Sequence, residues 1–302
     1  GRGSHITLPT SKFELPFSKA AAELLKDMTL EDLAEDPMLE EARKLARERL
    51  MIAIKGKGFH TERSRPLEVY SFVAAKLIAA AAGRTVLARL ANYEAKRFMK
   101  KCQGMSLDQL KAIAQELGIE LREDGELWMD LASYLRGASK IGGGKWRLVN
   151  RIVSRGFVLI SRYELERILA EYVRENVMNT PQVELPDKLK RVADEISEIF
   201  SKSKRPVDIK GELPPCIEEL IGKVKRGENI SHQARFALAS SLLSRGWREE
   251  RVVDLFRSLP DFSEKVTNYQ VSHIAKRRYK PPSCDTMREW GLCPGDCGRK
   301  RA

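Results

Sequence analysis

The sequence predicts a mainly α-helical protein of two domains, with one small β-hairpin in the first. Three observations carry this. Apolar residues recur three and four apart through most of the first two hundred positions, and helix-opening pairs such as Ser161 with Glu164 precede several of these runs. The pattern then dissolves once, into the polar, basic and proline-rich stretch from Ser201-Lys-Ser-Lys-Arg-Pro206 to Pro214-Pro215. A chain of 302 residues is long enough for about two domains of roughly 150 residues, each burying its own core. The expected boundaries are 6–203 for the first domain, 204–212 for a linker and 213–302 for the second, with Gly-Arg-Gly-Ser-His at 1–5 read as an expression remnant.

Taken in order, Thr29 with Asp32 opens the first helical run, and Leu39, Ala42, Ala46, Leu50 and Ala53 form one apolar face. Pro66 begins a helix that runs through an alanine-rich stretch to Gly83. A further helix carries Leu87, Leu90, Tyr93, Phe98 and Met99, and Ser106 with Gln109 opens the next. The helical habit breaks where β-branched and aromatic runs at Lys145 to Val149 and Phe157 to Ile160 flank 150–156, which predicts the hairpin. Phe157, Val158 and Leu159 are apolar on both faces of a short strand, so they are either core or an interface. After Ser161, Leu165, Ile168, Leu169, Tyr172 and Val173 share a helix face.

In the second domain Ser231 caps a helix on which His232 and Arg235 share a face, with Phe236, Leu238, Leu242 and Leu243 toward the core. A later helix aligns Tyr269, His273 and Lys276 or Arg277, with Val271 and Ile274 facing away. A ring, an imidazole and a cation on one stripe suit base stacking and phosphate contact; a solvated basic face is the plain alternative.

Composition narrows the function. Hydrophobic residues at 42% and charged residues at 32% exclude a disordered chain. The most apolar stretch, Phe72 to Ala82, is 11 residues and contains Lys76, against the roughly 20 that a membrane span requires. With no signal-peptide core, the expectation is an intracellular protein of cytoplasm or nucleoid. A formal charge of +12 asks for a polyanionic partner, which composition leaves open between nucleic acid and a membrane surface. The surplus is +7 before Val207, from 36 basic and 29 acidic residues, and +5 in the much shorter remainder, from 18 and 13.

Of five cysteines, Cys284, Cys293 and Cys297 fall within 14 residues and Cys216 lies earlier in the same domain. In an intracellular chain of this size thiols so grouped point to soft-metal ligation, the alternative being small buried hydrophobes. Cys102 follows Lys100 and Lys101 near a helix end and is assigned no chemistry. Gly142-Gly-Gly-Lys145 lacks the first glycine and the Ser or Thr of a phosphate loop, since Ser139 and Trp146 stand there, and reads as a turn. Paired carboxylates at Asp32 and Asp36, or Asp124 and Glu126, lack a third metal-binding partner and read as solvated faces. There is no hydrolase-type triad.

Pro214-Pro-Cys-Ile217, Asn229-Ile-Ser-His-Gln-Ala-Arg-Phe-Ala-Leu-Ala239, Asp261-Phe262, Tyr269-Gln-Val-Ser-His-Ile-Ala275 and Tyr279-Lys-Pro-Pro-Ser-Cys284, leading into Gly291-Leu-Cys293, together resemble the large subunit of archaeal and eukaryotic DNA primase. The match is dense from about Leu213 to Cys297. Lys145-Trp-Arg-Leu-Val-Asn150 with Gly156-Phe-Val-Leu159 is similar to the archaeal members, whose helical domain docks on the catalytic small subunit.

The resemblance implies a helical iron-sulfur C-terminal domain in which Cys216, Cys284, Cys293 and Cys297 hold a [4Fe-4S] cluster. Spacing points the same way, because only the last pair is as tight as a zinc knuckle, and zinc stands as the alternative metal. It also implies a non-catalytic subunit of a heterodimer, whose small-subunit partner supplies the carboxylates of nucleotidyl transfer; the two-faced apolar run Phe157, Val158 and Leu159 is the expected place of docking. The C-terminal domain would hold single-stranded DNA template, the initiating nucleoside triphosphate and the 5′ end of the RNA primer, through Asn229, His232, Arg235, Tyr269, His273 and Lys276. No membrane partner is expected. A zinc-stabilised nucleic-acid-binding module without a role in primer synthesis is the alternative function.

Overall fold

The computed structural model describes residues 15–141, 143–203, 213–295 and 297–298. Among them the chain is mainly α-helical, with one small antiparallel sheet. Helices α1 (Lys19–Leu25), α2 (Leu30–Glu35), α3 (Glu40–Lys55), α4 (Arg65–Ala82), α5 (Arg84–Cys102) and α6 (Leu107–Glu116) come first. Strands β1 (Leu121–Glu123) and β2 (Leu127–Asp130), helix α7 (Leu131–Ile141), and strands β3 (Val153–Ser154) and β4 (Phe157–Ile160) follow. Then come α8 (Arg162–Met178), α9 (Asp187–Ser203), α10 (Pro215–Lys225), α11 (His232–Ser244), α12 (Glu249–Phe256), α13 (Glu264–Arg277) and α14 (Cys284–Glu289). The expected linker, 204–212, and the remnant at 1–5 lie outside the described residues.

The helix starts follow local chemistry. Thr29, Ser106 and Ser161 each close a capping box, their hydroxyls accepting from the backbone N–H groups of Asp32, Gln109 and Glu164, whose side chains accept in return from the cap residue. Pro66 stands in the first turn of α4, where its missing N–H costs nothing. Gly56 ends α3 in the left-handed region at φ 68°.

Burial of the apolar faces produces three cores. The first joins α2 to α5 with α9, through Leu50, Phe72, Ile78, Leu90 and Phe200. The second lies between the lower half of α5, helices α6 to α8 and the sheet, through Phe98, Leu110, Met129, Tyr134, Val158 and Ile168. Helix α5 serves both, giving Leu87, Leu90 and Tyr93 to one and Ala95, Phe98 and Cys102 to the other. The third is built from residues after 212 alone, including Ile217, Leu238, Val252, Phe256, Phe262 and Met287.

Within the first core lies a fully paired group of charges. The buried Arg49 guanidinium donates from Nε to Ser71 Oγ (3.1 Å), from Nη1 to Glu94 (2.5 Å) and from Nη2 to Glu68. Arg97 reaches the same Glu68 oxygen at 2.9 Å, and His60 Nε2 lies 3.1 Å from both Glu68 oxygens.

The sheet corrects the expected hairpin. Its order is β1-β2-β4-β3, antiparallel throughout, with Met129 opposite Val158 and Leu127 opposite Ile160. The partner of β4 at the hairpin is Val153–Ser154, joined by a tight turn in which Arg155 and Gly156 have φ 49° and 81°, the two positive values of a type I′ turn. The expected first strand, 145–149, is instead occupied by two short 3-10 turns, Gly144–Trp146 and Leu148–Asn150. Side chains satisfy this backbone in place of a ladder. Asn150 Nδ2 donates to Gly144 O (2.7 Å), and Tyr134 donates to Trp146 O (2.9 Å) while Trp146 is buried beside it. Strands β1 and β2 carry too few residues to stand out from their surroundings in sequence. They exist because Leu127 and Met129 face the second core on alternate positions.

Candidate functional site

Ser231 accepts from the Ala234 N–H (3.1 Å) and starts α11, which places His232 in its first turn and Arg235 one turn on. Helix α13 packs beside α11 and presents Tyr269 and His273 on one stripe, their rings 6.2 Å apart and inclined by 19°. The two stripes meet around a cavity of about 260 Å³ lined by His232, Arg235, Phe236, Tyr269, His273 and Tyr279 among others. Tyr269 stands at its mouth with 73% of its surface exposed.

The aromatic groups continue inward. His273 lies 6.0 Å from Tyr279, whose ring meets Phe236 edge-on at 5.7 Å, and Phe236 meets Trp290 in the same way at 6.4 Å. Tyr279 and Phe236 are thus cavity residues that sequence reasoning did not assign to the site. Tyr279 was signalled only by its place at the head of the Tyr279 to Cys284 motif, and Phe236 was expected on the core side. Val271 and Ile274, expected to face away, form part of the cavity wall.

Two expected contacts stand elsewhere. Lys276 lies outside the lining residues, because seven residues after Tyr269 carry it about 10 Å further along the helix axis. Asn229 acts on Arg235: its Oδ1 accepts from Arg235 Nη2 at 3.1 Å. Arg235 is itself committed, with Nη2 donating to both oxygens of Asp261 (2.6 and 2.5 Å) and Nε to Ile230 O (3.3 Å). The cavity is therefore aromatic, with its one arginine neutralised by Asp261, where the sequence suggested a stripe with a cation free for phosphate.

The four candidate metal ligands all belong to the C-terminal unit. Cys216 opens α10 and Cys293 follows α14, and both are half-buried against the third core. Cys284 begins α14 and is half-buried, and Cys297 is exposed. Soft thiolates that are not sealed in the interior are the right donors for iron or zinc. Among the described residues, however, no three His, Cys, Asp or Glu side chains are gathered closely enough to hold a metal ion. Cys102 differs from this set: it is buried in the second core, and burial pushes its thiol up to about 12, as suits a packing residue.

On the sheet, Phe157 and Val158 prove to be core. Val158 is fully buried, and Phe157 is buried with the Arg122 guanidinium 3.7 Å above its ring. This corrects the expectation that both side chains face a partner: β4 is an inner strand, paired on both edges, with Val158 in the second core and Phe157 covered by Arg122. Leu159 is half-buried. The exposed apolar side chains are its neighbours, Val149 at 87%, Ile152 at 62%, and Val153. Among the described residues no helix is long and apolar enough to cross a membrane.

Residues 208–301 match the family model described as the C-terminal domain of the eukaryotic and archaeal DNA primase large subunit. Over 301 residues the chain is 32% identical to the DNA primase large subunit PriL of Methanocella arvoryzae, covering 93% of this chain and 82% of that protein. The protein of the same name from Archaeoglobus fulgidus is 34% identical over 243 residues, 76% of this chain and 65% of its own. That of Methanopyrus kandleri is 55% identical over 96 residues, 30% of this chain and 24% of its own.

Proposed function

The chain belongs to the family of archaeal and eukaryotic DNA primase large subunits, and from this premise we propose that it is the non-catalytic subunit that supports initiation of RNA primers. In this reading the C-terminal unit holds the template and the initiating nucleotide beside an active site supplied by the small subunit. The observation that carries it is the single cavity in which α11 and α13 bring His232, Arg235, Tyr269 and His273 together. Starting without a primer requires two nucleotides to meet on one strand, and a domain that pins one of them removes much of the entropic cost. Tyr269, stacked with His273 and open to solvent, offers a base its flat face. His232 and Arg235 lie at the opposite wall, where phosphate oxygens would be met.

Cys216, Cys284, Cys293 and Cys297 would hold a [4Fe-4S] cluster. Its thiolate-iron bonds would tie the start of the unit to its end, so that metal binding becomes folding energy. Cys216 and Cys293, from opposite ends of the unit, both pack against its one core, as such a closure requires.

Tyr269→Ala tests the site, because the side chain is exposed and its loss leaves no hole. Loss of stacking worth about 1–3 kcal/mol should lower dinucleotide synthesis by roughly tenfold or more with the small subunit present. Extension of a long primer should be unchanged, since its 3′ end is held by the catalytic subunit. Equal losses in the two assays would refute the initiating role.

The N-terminal unit would dock the small subunit through the apolar edge of the hairpin, Val149, Ile152, Val153 and Leu159. Ile152→Asp should abolish co-purification with the small subunit while the thermal unfolding of this chain is unchanged. A complex that survives the substitution would place the interface elsewhere.

A further inference from the structure

The guanidinium that the proposed nucleotide site needs is already held by an anion of the same chain. Asp261 binds Arg235 Nη2 through both oxygens, and the turn that carries Asp261 also seats the C-terminal unit on the N-terminal one. Lys96 of α5 donates to the Asp261 carbonyl at 3.5 Å. The Phe262 ring lies between Arg89, 5.1 Å away on α5, and Arg257 at 5.3 Å. Its carbonyl presses so closely on Gly56 that a Cβ there would lie 2.5 Å from the oxygen. The approach requires glycine at the end of α3.

Charge is unevenly shared around this turn. Arg89 is 2% exposed, packs also on Phe200 at 5.6 Å, and donates from Nη1 to Ile54 O, while its Nε is buried with no acceptor. Burial pulls Arg89 down to about 10 and lowers Lys96 as well, and for both the attraction of Asp261 works against it. Two α5 cations thus face a carboxylate whose hydrogen bonds go to Arg235.

We infer that Asp261 is an exchangeable internal anion: in the empty cavity it occupies Arg235, and when a ligand phosphate takes Arg235 its charge is taken up by Lys96 and Arg89 of the N-terminal unit. The inference rests on the nucleotide reading of the cavity and adds its regulation. A phosphate and a carboxylate on the same Nη2 group repel each other, so a phosphate that takes this group displaces Asp261. Charge balance is best kept if the displaced carboxylate moves to the underpaired cations beside it. Occupancy of the site by a phosphate then favours docking of the two units, and α5 senses the nucleotide without touching it.

The test is a double-mutant cycle on the full chain with ATP as the probe, read by calorimetry. Asp261→Asn keeps the shape and removes the competing charge, so ATP should bind about tenfold more tightly or better. Lys96→Ala, outside the cavity, should weaken ATP binding several-fold in the parent chain and leave it unchanged in the Asp261→Asn background. Weaker binding by Asp261→Asn would show that the carboxylate orients Arg235 for the ligand, and would overturn the exchange. A Lys96→Ala effect of equal size in both backgrounds would reduce it to a general field effect and overturn it too. ATP bound alike by all four proteins refutes the exchange and leaves the nucleotide site standing. Binding by none of them refutes the site, and the exchange with it.

Discussion

Replacing Arg49 by alanine is expected to lower the stability of the N-terminal unit by about 3–5 kcal/mol, read as a shift of the urea unfolding midpoint. The side chain is buried between Glu68 and Glu94, and its removal leaves Arg97, 2.9 Å from Glu68 and 4.0 Å from Glu94, to face two buried carboxylates. The same network predicts acid sensitivity. Burial holds the His60 imidazole below its ordinary value of 6.5, with Arg49 and Arg97 adding to the effect, so the folded state keeps it neutral. The unfolded chain takes up that proton first, so stability is full above about pH 6.5 and declines as pH falls through it. Burial would raise Glu68, but the His60 hydrogen bond and the Arg49 and Arg97 charges outweigh it and hold the carboxyl at about 2 against an ordinary 4.5. Its contribution is present above about pH 4.5 and lost as pH falls toward 2. His60→Gln should flatten the loss in the first window and, since the His60 hydrogen bond helps hold Glu68 down, narrow the second without abolishing it, because Arg49 and Arg97 remain. An unfolding free energy independent of pH from 7 to 3 would show that the network contributes no linkage.

Cys293→Ser is expected to give a colourless protein without iron, whose C-terminal unit melts early while the N-terminal unit melts as before. The physical ground is that a metal site does not preform in an unfolded chain, so losing one thiolate of the proposed site would remove folding energy from the unit that the cluster would close. The separate third core, built from residues after 212, is why the loss should stay local. The parent protein should be brown, with broad absorbance near 400 nm from thiolate-iron bonding, whereas a zinc site would be colourless. A Cys293→Ser protein that keeps its iron and its stability would remove this residue from the ligand set.

Much of this molecule was legible in one dimension. The capping boxes at Thr29, Ser106 and Ser161, the proline that opens α4 and the apolar faces of α3, α5 and α8 depend on residues three or four apart, whose meeting is fixed by helix geometry. The stripes of His232 with Arg235 and of Tyr269 with His273 belong to the same class of local information. So do the spacing of the cysteines and the motifs by which the family is seen.

Contacts between distant segments were not legible. That Phe157 and Val158 are core while Ile152 and Val153 are exposed follows from β4 lying inside a sheet, and the sheet depends on strands of three and four residues at 121–123 and 127–130. That Arg235 is held by Asp261 depends on the packing of α11 against the turn before α13, and no local pattern predicts which carboxylate reaches a given arginine. The same holds for Tyr279, which closes the cavity only because the chain turns back after α13 with Arg278 at φ 49°. Sequence alone therefore determined the helices, the faces they present and the family, since each is set by neighbours along the chain. Tertiary structure alone decided which charges are neutralised and which apolar side chains remain exposed, because burial and pairing are properties of surfaces that meet only after folding.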